Sequence, residues 1–185
     1  MQRSCAWANS GNERLKKYHD QEWGVPCHDD QKLFELLSLE IMQAGLSWQT
    51  VLNKRQAFNA AFCHFDYQKV CSFQDKLPEL LANPAIIRNR RKLNAVINNA
   101  QIISKLAIKG ISFNDYLWRF VDFKPIVHHY ATHDEIPNTD DLAQTISKQM
   151  KKDGFQFTGP VVVYSFLQAA GLINDHEISC FRYPQ

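Results

Sequence analysis

The stretch "DDQKLFELLSLEIMQAG", residues 29–45, narrows the fold more than any other part of the chain. It opens on Asp, ends on Gly, and repeats Leu33, Leu37, Ile41 and Ala44 at the helical period. An acid at the start, a glycine at the stop and a 3.6-residue apolar repeat together specify a helix. The same pattern returns along the chain. "SWQTVLNKRQAFNAAF" offers Ser47 as N-cap and turns Val51, Leu52, Phe58 and Phe62 inward. "DKLPELLAN" is a short helix, and "NRRKLNAVINNAQIISKL" repeats Leu93, Val96, Ile97, Ala100 and Ile103. "FNDYLWRFV" buries Leu117 and Phe120, and "TDDLAQTISKQMKKDG" runs from a Thr cap past Leu142, Ile146 and Met150 to a Gly stop. The triple Val of "GPVVVYSFLQAAG" alone suits a strand, yet Pro160 at a first helical position and the Phe-Leu-Gln-Ala-Ala continuation favour a helix. No alternating apolar and polar stretch persists, so the class is all-α.

One domain accommodates 185 residues, with two lobes possible and no clean linker. A chain of this length buries a core without disulfides. Five Cys, an odd number, argue against a disulfide framework, and Cys27, Cys63 and Cys71 read as small buried hydrophobes. The chain has no apolar run of membrane-span length, and "MQRSCAWANSG" lacks the core of a signal peptide, so a cytoplasmic protein is expected. A net charge of +2 does not by itself signal nucleic acid.

Three groups of residues carry chemistry. Cys5 and His19 stand near one end, with His176 and Cys180 near the other. Residues four apart share a helical face. His176 and Cys180 can then meet one point, and a Cys2His2 set suits tetrahedral zinc with no open position. Zinc fingers pair their ligands more tightly, so buried Cys with hydrogen-bonded His remains an alternative reading. Second, Glu40 falls on the apolar face of its helix, where a carboxylate is costly unless paired with a cation. Trp7, Tyr18, Trp23 and Trp48 lie in the same quarter of the chain. Aromatic walls around one carboxylate suit a flat cationic ligand, and aromatic core with a structural ion pair is the competing reading. Third, Leu80 to Asn114 contains no acid but holds Arg88, Arg90, Arg91, Lys92, Lys105 and Lys109. A helix, a turn at Asn83-Pro84 and a helix with a basic opening is how a helix-hairpin-helix grips phosphate through N–H groups and charge. A solvated basic face is the plainer alternative. Three His of "VHHYATHDEIPNT", residues 128, 129 and 133, read as solvated loop residues.

"RSCAW", "YHDQEWGVP", "KLFELLSLEIMQAGLSWQTVLNKR", "IIRNRRKLNAVINNA", "GFQFTGP" and "YSFLQAAGLINDHEISC" together resemble, in order and over nearly the whole chain, the 3-methyladenine DNA glycosylase I family of bacterial alkylation-repair enzymes. The resemblance implies a helix-hairpin-helix glycosylase fold in which one structural zinc joins the terminal segments through Cys5, His19, His176 and Cys180. It implies a base pocket with Glu40 hydrogen-bonded to the excised base, Tyr18 and Trp48 in close contact, and Trp7 and Trp23 as the further wall. Gly45 and Leu46 would enter the duplex, and Arg88, Arg90, Arg91 and Lys92 would anchor DNA.

The implied activity is monofunctional hydrolysis of the N-glycosidic bond of 3-methyladenine in double-stranded DNA, by a cytoplasmic, nucleoid-associated monomer with no membrane partner. The family commonly has Gly where this chain has Ala85 and Arg91, and Thr where it has Val161. A non-catalytic helix-hairpin-helix protein that binds alkylated or distorted DNA is the alternative from another class. A metallohydrolase using the Cys/His set is a third reading, which four protein ligands disfavour.

Overall fold

A computed structural model describes residues 3–184. Among these, the chain forms α1 (Glu13–Gln21), α2 (Asp30–Gln43), α3 (Trp48–Ala61), α4 (Tyr67–Val70), α5 (Leu77–Ala82), α6 (Arg90–Ile108), α7 (Phe113–Trp118), α8 (Asp141–Lys152) and α9 (Pro160–Ala169), joined by short 3-10 turns. The helices start where the sequence predicts. Asp29 accepts from the Lys32 N–H and Ser47 from that of Thr50. α8 differs by one residue: its cap is Asp140, whose carboxylate takes the Ala143 N–H, and not Thr139. Phe120 and the three Cys of positions 27, 63 and 71 are half-buried rather than core.

α2 is central. Every residue from Leu33 to Met42 is buried, so the helix has no solvent face over that stretch, and α3, α6, α7 and α9 surround it. A helix enclosed on all sides must satisfy its polar side chains internally. Ser38 does so on the Phe34 carbonyl, and Glu35 does so on Arg55. Glu40 accepts no hydrogen bond and no ion pair from the described residues.

Irregular backbone also has a role. Ile126–Val127 (β1) pairs in parallel with Ile173–Asn174 (β2), a departure from an all-helical chain. The pair ties the stretch expected to be irregular to the buried segment that follows α9. That segment then reaches the N-terminus: the Phe181 N–H donates to the Arg3 carbonyl, and the Ala6 N–H to the Glu177 carboxylate. A second, smaller apolar cluster forms there from Cys5, Tyr18, Trp23, Leu52 and Cys180, and Trp48 packs against both this cluster and the main core.

Candidate active site

The four chain-end residues meet. Cys5, His19, His176 and Cys180 are all buried, and their ligand atoms lie within 4.8 Å of one another. Cys5 Sγ is 3.4 Å from His176 Nδ1, while Cys180 Sγ is 3.5 Å from His19 Nε2 and 3.6 Å from His176 Nδ1. Separations of 3.4–3.6 Å match the edges between ligands around a tetrahedral ion bound at about 2.0–2.3 Å, as zinc is by N and S. The outer ring atoms are held as well. His19 Nδ1 faces Asp20 at 2.7 Å, and His176 Nε2 faces the Trp23 carbonyl at 3.0 Å. Such partners fix the tautomer that aims the other nitrogen inward. Backbone N–H groups of Glu177 and Arg182 point at the two sulfurs, each at 3.4 Å. Burial lowers His176 to about 4 and raises the Cys5 thiol. Burial lowers His19 as well, so both imidazoles favour the neutral form a metal ligand needs, whereas the Cys5 thiol gives up its proton only to a cation brought among the four. Gly24, at φ +73°, lets the chain pass here, since a Cβ would lie 3.0 Å from the His176 ring.

Against this cluster stands a cavity of about 260 Å³ lined by Trp7, Tyr18, Trp23, Glu40, Gln43, Trp48, His133, Ser165 and Gln168. All five residues expected around a flat ligand are in it. Tyr18 and Trp48 are 5.1 Å apart between ring centroids, and Trp7 meets Trp23 edge-on at 5.2 Å. The Trp7 and Trp23 rings also touch His19 and His176, so the Cys/His cluster braces this wall. Burial alone raises Glu40 to about 8. Burial, with Glu40 beside it, pushes Tyr18 well above its ordinary value. The Trp48 indole N–H is buried without a partner. An acid and a donor both left unsatisfied cost stability, and a ligand can supply what they lack.

Glu35, five residues from Glu40 on the same helix, provides the contrast. Burial pushes it up too, but the hydrogen bonds and charge of Arg55 and Lys32 outweigh burial and leave it at about 2. The structural ion pair is therefore at Glu35, with Arg55 bridging to Glu22 at 2.7 Å.

The sequence reading missed four lining residues. Gln43 follows Glu40 by three residues and was accessible to the same periodicity argument. Ser165 and Gln168 share a face of α9, but nothing local relates that face to α2. His133 carries no signal: loop composition alone reads it as solvated. His128 is not simply solvated either, since its Nδ1 is 2.6 Å from the buried Asp175. His129 meets the Tyr183 hydroxyl.

Past the cavity, Gly45 at φ +78° ends α2 and leaves Leu46 43% exposed. α5 packs on α6 across the link 83–89, where Lys54 donates to the Pro84 and Ala85 carbonyls. Arg88, Arg90 and Arg91 are exposed. Lys92 departs from expectation. It is 5% exposed, and its ammonium donates to the Met42 and Ala44 carbonyls at 2.9 and 2.6 Å. It closes the C-terminus of α2, where a cation complements unpaired carbonyls, and two of its three N–H donors are spent there, out of solvent. Asn89 likewise takes the Arg91 and Lys92 N–H groups that the sequence reading assigns to an anion.

A helical scaffold with an aromatic cavity, one carboxyl in it without a cation, and a separate run of exposed arginines has the chemistry to take a planar, cationic ring. The chain belongs to the methyladenine glycosylase family, whose model matches residues 7–183. It is 45% identical over 181 residues to DNA-3-methyladenine glycosylase 1 of Escherichia coli K12, covering 97% of this chain and 96% of that one. A crystal structure of 3-methyladenine DNA glycosylase I superposes with a TM-score of 0.95 at 43% identity, covering 98% of this chain and 100% of the other. The Staphylococcus aureus 3-methyladenine DNA glycosylase I, solved to explain 3-methyladenine recognition, superposes at 0.92 with 39% identity over 98% and 97% of the two chains.

Proposed function

We propose that this protein is a DNA repair enzyme, a DNA-3-methyladenine glycosylase that hydrolyses the N-glycosidic bond of 3-methyladenine in alkylated double-stranded DNA. The observation that carries the reading is Glu40, a buried carboxyl without a cation inside an aromatic cavity.

Methylation at N3 makes adenine a cation. In the reaction a water oxygen becomes bonded to the sugar C1′ and gives up one proton to solvent, while the C1′–N9 bond breaks. The bonding pair leaves with the base, which departs neutral. Such a leaving group needs little acid catalysis, so the protein must select and hold the cation. To reach it, the base must leave the stack. Leu46 is exposed where it can fill the vacated space. Arg88, Arg90 and Arg91 neutralise phosphates and position the duplex without reading sequence. In the cavity, Trp48 and Tyr18 supply π-faces for a cationic ring. A cation entering beside Glu40 draws its carboxyl down from about 8 to the ionised form, and the two charges offset each other's desolvation.

No lysine lines the cavity, which agrees with a monofunctional enzyme that leaves the strand uncut. Cys5, His19, His176 and Cys180 fit one zinc ion by donor type, distance and outer partners. Bound there, zinc supplies a four-coordinate cross-link between the terminal segments and leaves no position for water. Its work is to hold Trp7 and Trp23. The protein acts as a single-domain monomer in the cytoplasm.

The test is chromatography of bases freed from methylated duplex DNA. Wild type is expected to release 3-methyladenine, and Glu40→Ala to bind the DNA and release none. Binding without release by wild type would overturn the enzyme in favour of a binding module.

A further inference from the structure

Asp175 is 1% exposed and serves three donors at once. His128 Nδ1 lies 2.6 Å from its Oδ1, and the Tyr164 hydroxyl and Gln168 Nε2 donate to its Oδ2 at 2.7 and 2.8 Å. A carboxylate only accepts. Gln168 must therefore turn its NH2 to Asp175. The opposite orientation would set an amide oxygen against a carboxylate oxygen. The orientation of this side-chain amide, ordinarily a matter of assignment, is here forced by its partner. The other end of the amide, Oε1, then faces away from Asp175 and accepts no hydrogen bond from the described residues. Gln168 lines the same cavity as Glu40, from α9 where Glu40 comes from α2. The cavity is thus lined from two different helices by a carboxyl and by an amide whose NH2 is already committed to Asp175.

Adenine and guanine differ at the 6-position in this respect. Adenine carries an N–H donor pair there, and guanine a carbonyl oxygen. Resting on the glycosylase reading above, we infer that Gln168 is a specificity-determining residue. Its Oε1 accepts from the 6-amino group of flipped 3-methyladenine and opposes the 6-oxo group of 3-methylguanine. Asp175, with His128 and Tyr164 behind it, is a positioning residue that keeps the amide from turning over. A site that leaves a buried polar group facing a like group rejects the wrong ligand more strongly than an apolar wall does.

The experiment measures release of 3-methyladenine and of 3-methylguanine from the same methylated duplex, and reads their ratio. In Gln168→Leu, 3-methyladenine release falls about tenfold, the loss of one good polar contact, while 3-methylguanine release does not fall. Asp175→Asn frees the amide to present its NH2, so 3-methylguanine release rises. Gln168→Glu combined with Asp175→Asn exchanges donor and acceptor, again aims an oxygen into the cavity, and restores the ratio towards wild type. Metal content and melting temperature are followed for each Asp175 variant because His176 is adjacent. Gln168→Leu, half-exposed on a helix, carries the test if Asp175→Asn does not fold. Equal losses for both bases, or an unchanged ratio in Gln168→Leu, would overturn this inference alone. No release of either base by wild type would overturn the functional reading and this inference with it.

Discussion

Replacing Glu40 by Gln is expected to make the protein more stable at alkaline pH while abolishing excision. Glu40 is 5% exposed, has no cation or hydrogen-bond donor, and is raised by burial from an ordinary 4.5 to about 8. The folded state therefore holds a proton that the unfolded state has already released. Stability from this group is fully present below pH 4.5 and is lost as pH rises through about 8. At about 1.4 kcal/mol for each pH unit between the two values, the ionised carboxylate costs up to about 5 kcal/mol above pH 8. Water entering the mouth of the cavity screens part of that, so about 2–5 kcal/mol is expected. Gln keeps the shape of the protonated acid and never ionises.

The assay is urea unfolding of wild type and Glu40→Gln at intervals from pH 4.5 to 9. The two are expected to be nearly equal at the acid end and to diverge in favour of the variant as pH rises. Metal ligation also depends on pH, but it is common to both proteins and cancels in the difference. A difference that stays constant across this range would refute the reasoning, because it would mean that Glu40 is solvated or paired in the folded protein. Loss of activity together with gain of stability is the signature of a group held for function at the expense of the fold.

Three further expectations rest on the metal-type cluster, the exposed arginines and Lys92. Under the zinc reading, Cys180→Ser should lose the metal; a ligand present at about a thousand times its Kd contributes about 4 kcal/mol, which at this chain length lowers Tm by about 10 °C when lost. Unchanged metal content would remove the zinc assignment. Neutralising Arg88, Arg90 or Arg91 should each reduce the slope of log affinity against log salt by about one. Lys92→Gln should leave that slope unchanged yet cost about 1–3 kcal/mol of stability by freeing the buried carbonyls of Met42 and Ala44. A salt slope that drops with Lys92→Gln would show that the ammonium reaches the DNA.

The boundary between what was legible and what was not follows physical range. Helix frames were legible because caps and the 3.6-residue repeat act among residues four or fewer apart: Ser47, Asp29 and Pro160 stand where their helices begin. The two ends with one Cys and one His each were legible as a possible ligand set, since zinc constrains residue type so tightly. The identity of the cavity wall was half legible. Trp7, Tyr18, Trp23, Glu40 and Trp48 share one quarter of the chain, whereas Ser165 and Gln168 join them only because α9 packs on α2.

Tertiary structure alone decided the rest. Glu35 and Glu40 are the same residue type on one buried helix. Which is ionised depends on Arg55 arriving from α3. Lys92 reads as one more basic residue in an acid-free run. Folding brings the end of α2 over it, so its charge is turned inward to carbonyls 50 and 48 positions away in sequence. The orientation of Gln168 depends on Asp175, and that of Asp175 on the pairing of β2 with β1, which no periodicity announces. By itself, then, the sequence determined the helices, the metal-type residues and the aromatic character of the pocket, all written in local pattern or residue chemistry. Which charges are paired, which are free and which way each polar group faces was decided only by packing, because those properties belong to contacts between distant segments and to the water such contacts exclude.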